Sequence, residues 1–466
     1  MIGISKYGVY LPVKRLKIEE MDRAAGGPGR GEGEKAVASF DEDSLTMGVN
    51  ALYESGILDE GSLDALFFAS TTAPYLEKSA AALIAETLPF APPNFTVDFS
   101  STLRAASNAL ILAQNFQESG GSKIALTAAD IRLADVYSAE ERAIGDGAAA
   151  LVLTSGADSL AVLKYATSTS QEILDTWRKN TDQLLKMTEP HFRFKYGFTD
   201  VVTRAFTQFL KQSGMGVGDI QHVAINAPNV KLLLGTLKQI NLEPASLTLR
   251  LYQEIGHTGV SFGLLNFLAE LESAKVGENI LWLDYSDGAN ALLFRKTQEI
   301  EQPQMGKAIS EKIYLNSYND FLRLRNLVVS EAAPMEPFTS AVMNFREKRQ
   351  NYALMAQRCK NCGEVTYPHN RICRKCNAKD NFEYLPISRE GTIFTFTKEY
   401  LYPSPEGVAV TASADMDSGL RLFLQVTDSD YDKIEVGQRV RRTFRKLHDA
   451  GGFHNYFWKF RVIGEK

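Results

Sequence analysis

Four cysteines, Cys359, Cys362, Cys373 and Cys376, are all that this 466-residue chain contains, and their C-x2-C-x10-C-x2-C spacing constrains the fold more than any other feature. Two CxxC knuckles so placed supply four thiolates for one tetrahedral metal, the pattern of a closed structural site. Zinc is favoured over iron because nothing in the sequence points to electron transfer, although four thiolates suit either metal. Disulfides are rare in the cytoplasm, the compartment expected below, which also favours metal ligation. The corollary is that residues 1–358 contain no cysteine.

The chain has no run of 18 apolar residues, so no membrane-spanning helix is expected. The opening MIGISKYGVYLPVKRL reads as a strand and turn rather than a signal peptide, and the expected location is the cytoplasm. A net charge of −5 argues against nucleic acid as the main partner. The C-terminal segment is nevertheless locally basic, with Arg439, Arg441, Arg442, Arg445 and Lys446. Two readings stand for it: a solvated edge strand, or a patch facing phosphates such as those of coenzyme A.

Over the first 295 residues short apolar, β-rich runs alternate with amphipathic stretches, the pattern of an α/β fold. LDALFFAS (63–70), SKIALTAAD (122–130), AAALVLTS (148–155), IQHVAINAP (220–228), ENILWLDYS (278–286) and NALLFR (290–295) read as buried strands. SLTMGVNALYESG (44–56) and LRAASNALILAQNF (103–116) read as helices. Gly145-Asp146-Gly147-Ala148 recurs in outline as Asp287-Gly288-Ala289, and neighbouring segments match at a similar offset, so two α/β halves in tandem are expected. The stretch 296–312 is polar and unpatterned, SYNDFLRLRNLV (317–328) reads as a helix, and β-rich runs separated by turns follow the knuckles, as in a small OB-fold barrel. The expected boundaries are 1–158 and 159–298 for the halves, 299–344 for a helical linker, 345–385 for the metal ribbon and 386–466 for the barrel.

GEKAVASFDEDSLTMGVNAL (33–52), IGDGAAALVL (144–153), the insertion 175–197, NAPN (226–229) and GHTGVSFGLL (256–265) together resemble the thiolase superfamily, closest to its hydroxymethylglutaryl-CoA synthase and ketoacyl synthase III branch. RCKNCGEVTYPHNRICRKC (358–376) and the runs after it resemble acyl-CoA-associated proteins built from a rubredoxin-like zinc ribbon and an OB-fold. The first resemblance implies a duplicated five-layer α-β-α-β-α body that pairs into a homodimer. The second implies zinc, coenzyme A or an acyl-CoA as ligand, and a separate thiolase subunit as partner.

In that superfamily a cysteine at the start of a buried helix attacks an acyl thioester, activated by the helix dipole and backbone N–H groups. The resemblance places Leu103 at the cysteine, Asn226 at the first histidine, His257 at the usual asparagine and Thr71 at the glutamate of the synthases. Four departures together imply a retired site. Ser100, Ser101 and Thr102 sit beside the lost nucleophile, and a Ser101–His257 pair is chemically conceivable, yet helix capping is the commoner use of such residues. Tyr252 and Glu254 are further possible substitutes, and each is more commonly structural. His369 lies between the knuckles but is surplus to four thiolates, His448 and His454 have no visible partners, and the glycine-rich GGPGRGEGEK (26–35) lacks a phosphate-loop pattern.

Three functions follow. The first is a non-catalytic subunit that binds or guides acyl-CoA for a partner thiolase in C–C bond formation or cleavage. The second is a Cys-independent acyl-CoA lyase, aldolase or thioester hydrolase. The third, remote, is a nucleic-acid-binding protein.

Overall fold

The computed structural model describes residues 1–328, 339–402 and 404–464. Residues 329–338, inside the segment expected to be a helical linker, lie outside the described residues, as do 403 and 465–466. By their contacts the residues divide into two units. One comprises Met1–Ala38, Asp43–Ala82 and Pro93–Phe321, and the other comprises Ser39–Glu42, Leu83–Pro92 and Leu322–Lys466.

The first unit contains a nine-stranded sheet. Its N-terminal half supplies β1 (Ile2–Tyr10), β2 (Ala65–Ala69), β3 (Phe95–Phe99), β4 (Ile124–Asp130) and β5 (Gly147–Ser155). Its C-terminal half supplies β6 (Ala161–Ser170), β7 (His222–Ile225), β8 (Asn279–Tyr285) and β9 (Gly288–Lys296). The spatial order is β7-β8-β9-β6-β1-β5-β4-β2-β3. Counted within each half, this is 3-2-4-5-1 against 2-3-4-1, the same order once the third strand of the first half is skipped, and the halves are joined edge to edge where Gly3 and Ile4 of β1 meet Val162 and Ala161 of β6. The duplication legible in the sequence is therefore real, with one strand fewer in the second copy. The helix Ser246–Glu254 lies in the chain interval where the first half has β3.

Helices complete the layers. Helix α1 (Ser44–Glu54) packs on β1, β4 and β5, and α2 (Ala105–Glu118) on β2, β3 and β4. Helix α3 (Asp200–Ser213) packs on β6, β8 and β9, with α4 (Val230–Ile240) beside it. Helix α5 (Ser246–Glu254) precedes α6 (Val260–Ser273), which touches α2 and strands of both halves. One hydrophobic core joins Ile4, Phe67 and Leu151 of the first half to Trp282 and Phe294 of the second through Leu110 of α2 and Leu264 and Phe267 of α6. Helix α6 is buried from Val260 to Leu271, its sides mostly apolar but with Ser261, Asn266 and Glu270 buried among them. Helix α2 turns Ala105, Ala106, Ser107, Ala109 and Ala113 inward, and these small side chains let it sit close to its neighbours.

The Gly-Asp-Gly turn has a packing reason. A Cβ at Gly145 would stand 1.8 Å from the carbonyl oxygen of Ile255, so only glycine admits that backbone approach. The carboxylate of Asp146 accepts the Ala38 N–H at 2.8 Å, tying the turn to the N-terminal segment. Of the interval 296–312, expected to be unpatterned, Met305–Ser310 is a short helix with Met305 and Ile309 buried.

The second unit holds a three-stranded sheet of β10 (Met355–Cys359), β11 (Val365–Thr366) and β12 (Phe382–Pro386), with β10 central. A closed barrel follows: β13 (Glu390–Glu399), β14 (Ala409–Met416), β15 (Arg421–Val426), β16 (Arg439–Ala450) and β17 (Phe453–Val462), in the order β13-β14-β15-β17-β16. Closure leaves no free edge for pairing with another chain. Two short segments from far upstream belong to this unit. The Lys446 N–H donates to the Asp41 carbonyl at 2.9 Å, and Arg349 donates to the carbonyls of Leu88 and Pro89 at 2.9 and 3.0 Å.

Candidate functional site

Helix α2 begins at Ala105, two residues later than the sequence pattern implied, with Arg104 as its N-cap and no side-chain capping bond. The capping expected of Ser100, Ser101 and Thr102 is therefore not made by their hydroxyls; only the Thr102 carbonyl engages, accepting the Ala105 N–H at 3.1 Å. Ser100 and Ser101 are exposed, their hydroxyls 3.4 Å apart, and Ser101 has a left-handed backbone with φ 70°. Leu103 is half-buried against the core.

Arg104, the next residue, reaches into the second half. Its guanidinium donates to Ser168 Oγ, the Thr169 carbonyl, Asn290 Oδ1, Ser170 Oγ and the Asp287 carbonyl at 2.9–3.3 Å. Asn290 in turn donates to Ser107 Oγ at 2.8 Å, and Ser107 donates to Asp284 Oδ2 at 2.6 Å. Asn226 donates to Asp284 Oδ1 at 3.0 Å. Asp284 is fully buried; burial pushes its carboxyl up to about 7, against the opposing pull of the Ser107 and Asn226 hydrogen bonds and of Arg104. A polar network thus joins the residue after Leu103 to Asn226 through Asp284. Sequence reasoning missed Asp284, although an acid alternating with Trp282 on the inward face of an apolar strand was a visible signal.

Thr71 and His257 meet at a second cluster. Asp130 accepts the Thr71 N–H at 2.7 Å, its hydroxyl at 2.8 Å, and the Val260 N–H at 2.9 Å. Gly259, with φ 68°, makes room for this carboxylate, since a Cβ there would lie 2.2 Å from Asp130 Oδ2. His257 Nδ1 lies 2.9 Å from Arg132 Nη2 and accepts the Gly259 N–H at 3.2 Å, which assigns the imidazole proton to Nε2. Burial, and then the Arg132 charge, hold His257 well below its ordinary pKa, so it is neutral at pH 7. Arg178, from the 175–197 insertion, donates to the Thr71 carbonyl at 2.5 Å.

The structure does not form the conceivable Ser101–His257 hydrogen bond: among the described residues His257 engages Arg132 and Gly259, and Ser101 engages Ser100. Tyr252 is spoken for as well. Its hydroxyl donates to the Ala227 carbonyl at 2.9 Å and lies 3.2 Å from the Ala227 nitrogen, and burial raises its pKa far above the ordinary value. Glu254 pairs with Arg250 at 2.7 Å on one helix face.

In the second unit the four cysteine sulfurs lie within 4.8 Å of one another, with Cys359–Cys376 and Cys362–Cys373 at 3.6 Å. Zinc–sulfur bonds of about 2.3 Å in a tetrahedron require sulfurs about 3.8 Å apart, so this set fits the ion. His369 Nε2 lies 2.7 Å from the Met355 carbonyl and outside the thiolate set.

The five basic residues offered for a phosphate do not make one solvent-facing patch, and Arg439 is itself paired with Asp417 at 2.7 Å. Arg445 is wholly buried among Asp41, Glu42 and Asp428, and Arg442 stacks on Trp458 with one N–H on the Ile387 carbonyl. Arg441 grips Glu390 at 2.8 Å, and Lys446 faces Asp449 at 3.5 Å. Arg442 and Arg445, three apart along the strand, lie on its opposite faces, and each is buried there against protein partners.

Comparison with known proteins now places the body. It is 30% identical over 302 residues to the hydroxymethylglutaryl-CoA synthase of Thermococcus sibiricus, covering 63% of this chain and 85% of that one. The chain belongs to the hydroxymethylglutaryl-CoA synthase family. The family's Archaeoglobus fulgidus member is 28% identical over 335 residues, with 69% of this chain and 96% of that one covered. A solved HMG-CoA synthase, complexed with CoA in its own crystal, superposes with a TM-score of 0.63 at 17% identity, over 73% of this chain and 95% of that one. Beyond the family body, residues 346–383 match the rubredoxin-like zinc ribbon domain of ChsH2, and 384–445 match its C-terminal OB-fold domain. The thiolase-like body, zinc ribbon and OB-fold are thereby established. No helix among the described residues is long and apolar enough to cross a membrane.

Proposed function

We propose that this chain is a non-catalytic member of its family that binds or guides an acyl-CoA for a separate thiolase, in a complex that forms or cleaves acyl-CoA carbon–carbon bonds. The observation that carries the reading is the lack of any cysteine in residues 1–358, with Leu103 at the entry of helix α2 where family resemblance puts the nucleophile. A thioester exchange through an acyl-enzyme needs that nucleophile. The neighbouring groups support the reading, since Ser101 is exposed and engages Ser100, His257 is committed to Arg132, and Tyr252 to Ala227. Zinc serves as structural glue in the ribbon, and the cytoplasm is the expected location. Pairing into a homodimer is supported by β3, an edge strand of the body sheet with Phe95 45% exposed.

Co-purification from the native host, followed by thiolysis and condensation assays on the chain with and without what accompanies it, tests the proposal. Turnover only in the complex is expected. Turnover by the chain alone sinks it and favours the second reading, a Cys-independent lyase, aldolase or thioester hydrolase. One observation favours that alternative: Asp284, poised near neutrality beside Asn226, is suited to exchanging protons.

A further inference from the structure

Asp284 is one end of a line of buried polar groups that continues past the network above. In β8, Ile280, Trp282 and Asp284 share one face, and in the paired β7 His222 and Ala224 lie in register with Ile280 and Trp282. Asn226 follows on the same face, bonded to Asp284. Helix α6 covers this face with Gly263, Asn266, Phe267 and Glu270, spaced as one helical stripe. A Cβ at Gly263 would lie 2.6 Å from Asp284 Oδ1, 3.0 Å from Trp282 Nε1 and 3.3 Å from Asn226 Cβ, so Gly263 marks where these three meet. At the other end Glu270 receives the Thr248 hydroxyl at 2.6 Å and contacts His222 Nδ1 at 3.1 Å. His222 Nε2 lies 3.0 Å from Glu278, and that pair is 17% and 29% exposed.

Between these ends, four fully buried polar atoms have no protein partner among the described residues: Asn226 Oδ1, Trp282 Nε1, and both Oδ1 and Nδ2 of Asn266. Each unmet group in hydrocarbon costs about 1–3 kcal/mol, so a stable core does not leave four along one stripe without a ligand. Their mixture of donors and acceptors suits water, which bridges both kinds.

We infer that a file of internal waters runs along this face of α6 and connects the Asp284 carboxyl to the His222–Glu278 pair at the surface, making Asp284 a proton-exchanging site inside the body. The path spans roughly 13 Å, four strand residues from His222 to Asn226. A proton entering at Glu278 or His222 passes by Glu270, Asn266 and the Trp282 edge and adds to the Asp284 carboxylate to give the neutral acid; the same route returns it. Arg104 of α2 is the cation facing Asp284; Ser107 and Asn226 are neutral donors to it. The neutral acid is the form that burial favours, and its pKa of about 7 makes the exchange matter at ordinary pH. The site goes beyond the scaffold reading, because it stands whether or not acyl-CoA turns over.

The test uses the full chain labelled with 15N-tryptophan. Trp282 and Trp458 are equally buried, but the Trp458 indole N–H donates to the Tyr352 carbonyl at 2.8 Å. The Trp282 indole proton is expected to exchange with water at least about tenfold faster than that of Trp458. Asn266→Leu, which fills the middle of the file, is expected to bring it down to the Trp458 rate. In infrared spectra the protonated Asp284 band, identified by its loss in Asp284→Asn, should shift promptly on transfer to D2O and titrate near neutrality. A Trp282 proton as slow as that of Trp458, or an Asp284 band that shifts only on unfolding, overturns the inference and leaves a dry structural network. The wild-type comparison stands even if Asn266→Leu does not fold.

Discussion

Replacing Arg445 by methionine should open the barrel of the second unit far more than any surface change. Its guanidinium lies 3.2 Å from Asp41, 3.0 Å from Glu42 and 2.7 Å from Asp428, with all four side chains fully buried. Lys459, 2.8 Å from Asp41, is the other cation. The substitution leaves three buried carboxylates facing one ammonium. Removing one partner of a buried ion pair costs about 3–5 kcal/mol, because the remaining charges stay desolvated. At about 1.4 kcal/mol per tenfold, amides of β16 and β17 should then exchange about two to three and a half orders of magnitude faster. Hydrogen exchange read by mass spectrometry reports this, with amides of α6 in the body as the internal control.

The pH dependence adds a second constraint. Burial alone would raise the Asp41 carboxyl, but Lys459 and then Arg445 outweigh it, and the folded value is lowered. Its stabilisation is therefore fully present above the ordinary value of 3.8 and is lost as pH falls through the lowered one. In Arg445→Met the remaining carboxylates repel, and protection should improve on mild acidification, opposite to wild type. A change below tenfold in β16 and β17, or an equal change in α6, would refute the argument that this cluster holds the barrel closed.

Asp284→Asn should be more stable than wild type at about pH 8 and close to it at about pH 5, by thermal unfolding. The folded acid has its pKa raised from 3.8 to about 7, so wild-type stability falls as pH rises across that window, by on the order of 4 kcal/mol, and an amide removes the slope. Cys373→Ser or prolonged chelation should release one metal ion and raise exchange in β10, β11 and β12 while sparing the body; elemental analysis should find zinc. Phe95→Glu, placing charge on the exposed edge strand β3, should convert a dimer to a monomer in light scattering, and an unchanged mass would discard β3 as the pairing edge.

The six expected strands of the body all exist, because each is a short apolar run between turn residues, a pattern that survives any arrangement. The clustering of the four cysteine sulfurs was legible because knuckle geometry is local: spacing alone brings them together. Helix α2 was found but its start was misjudged, since Ser100–Thr102 look like caps until Ser101 adopts a left-handed turn. Arg445 read as part of either a solvated edge strand or a phosphate-facing patch, because nothing near it in sequence shows that Asp41, 404 positions away, meets it.

The sequence by itself determined the duplicated α/β body, the zinc ribbon, the barrel and the lack of cysteine in residues 1–358, because periodicity, spacing and composition are properties of short stretches. Only the tertiary structure decided what the polar residues do. It joined Asn226 to Asp284 and Ser107, gave His257 to Arg132 rather than Ser101, and buried Arg445 against Asp41. The physical reason is that a buried polar group must be satisfied by whatever the fold brings within about 3 Å, and those neighbours come from remote parts of the chain.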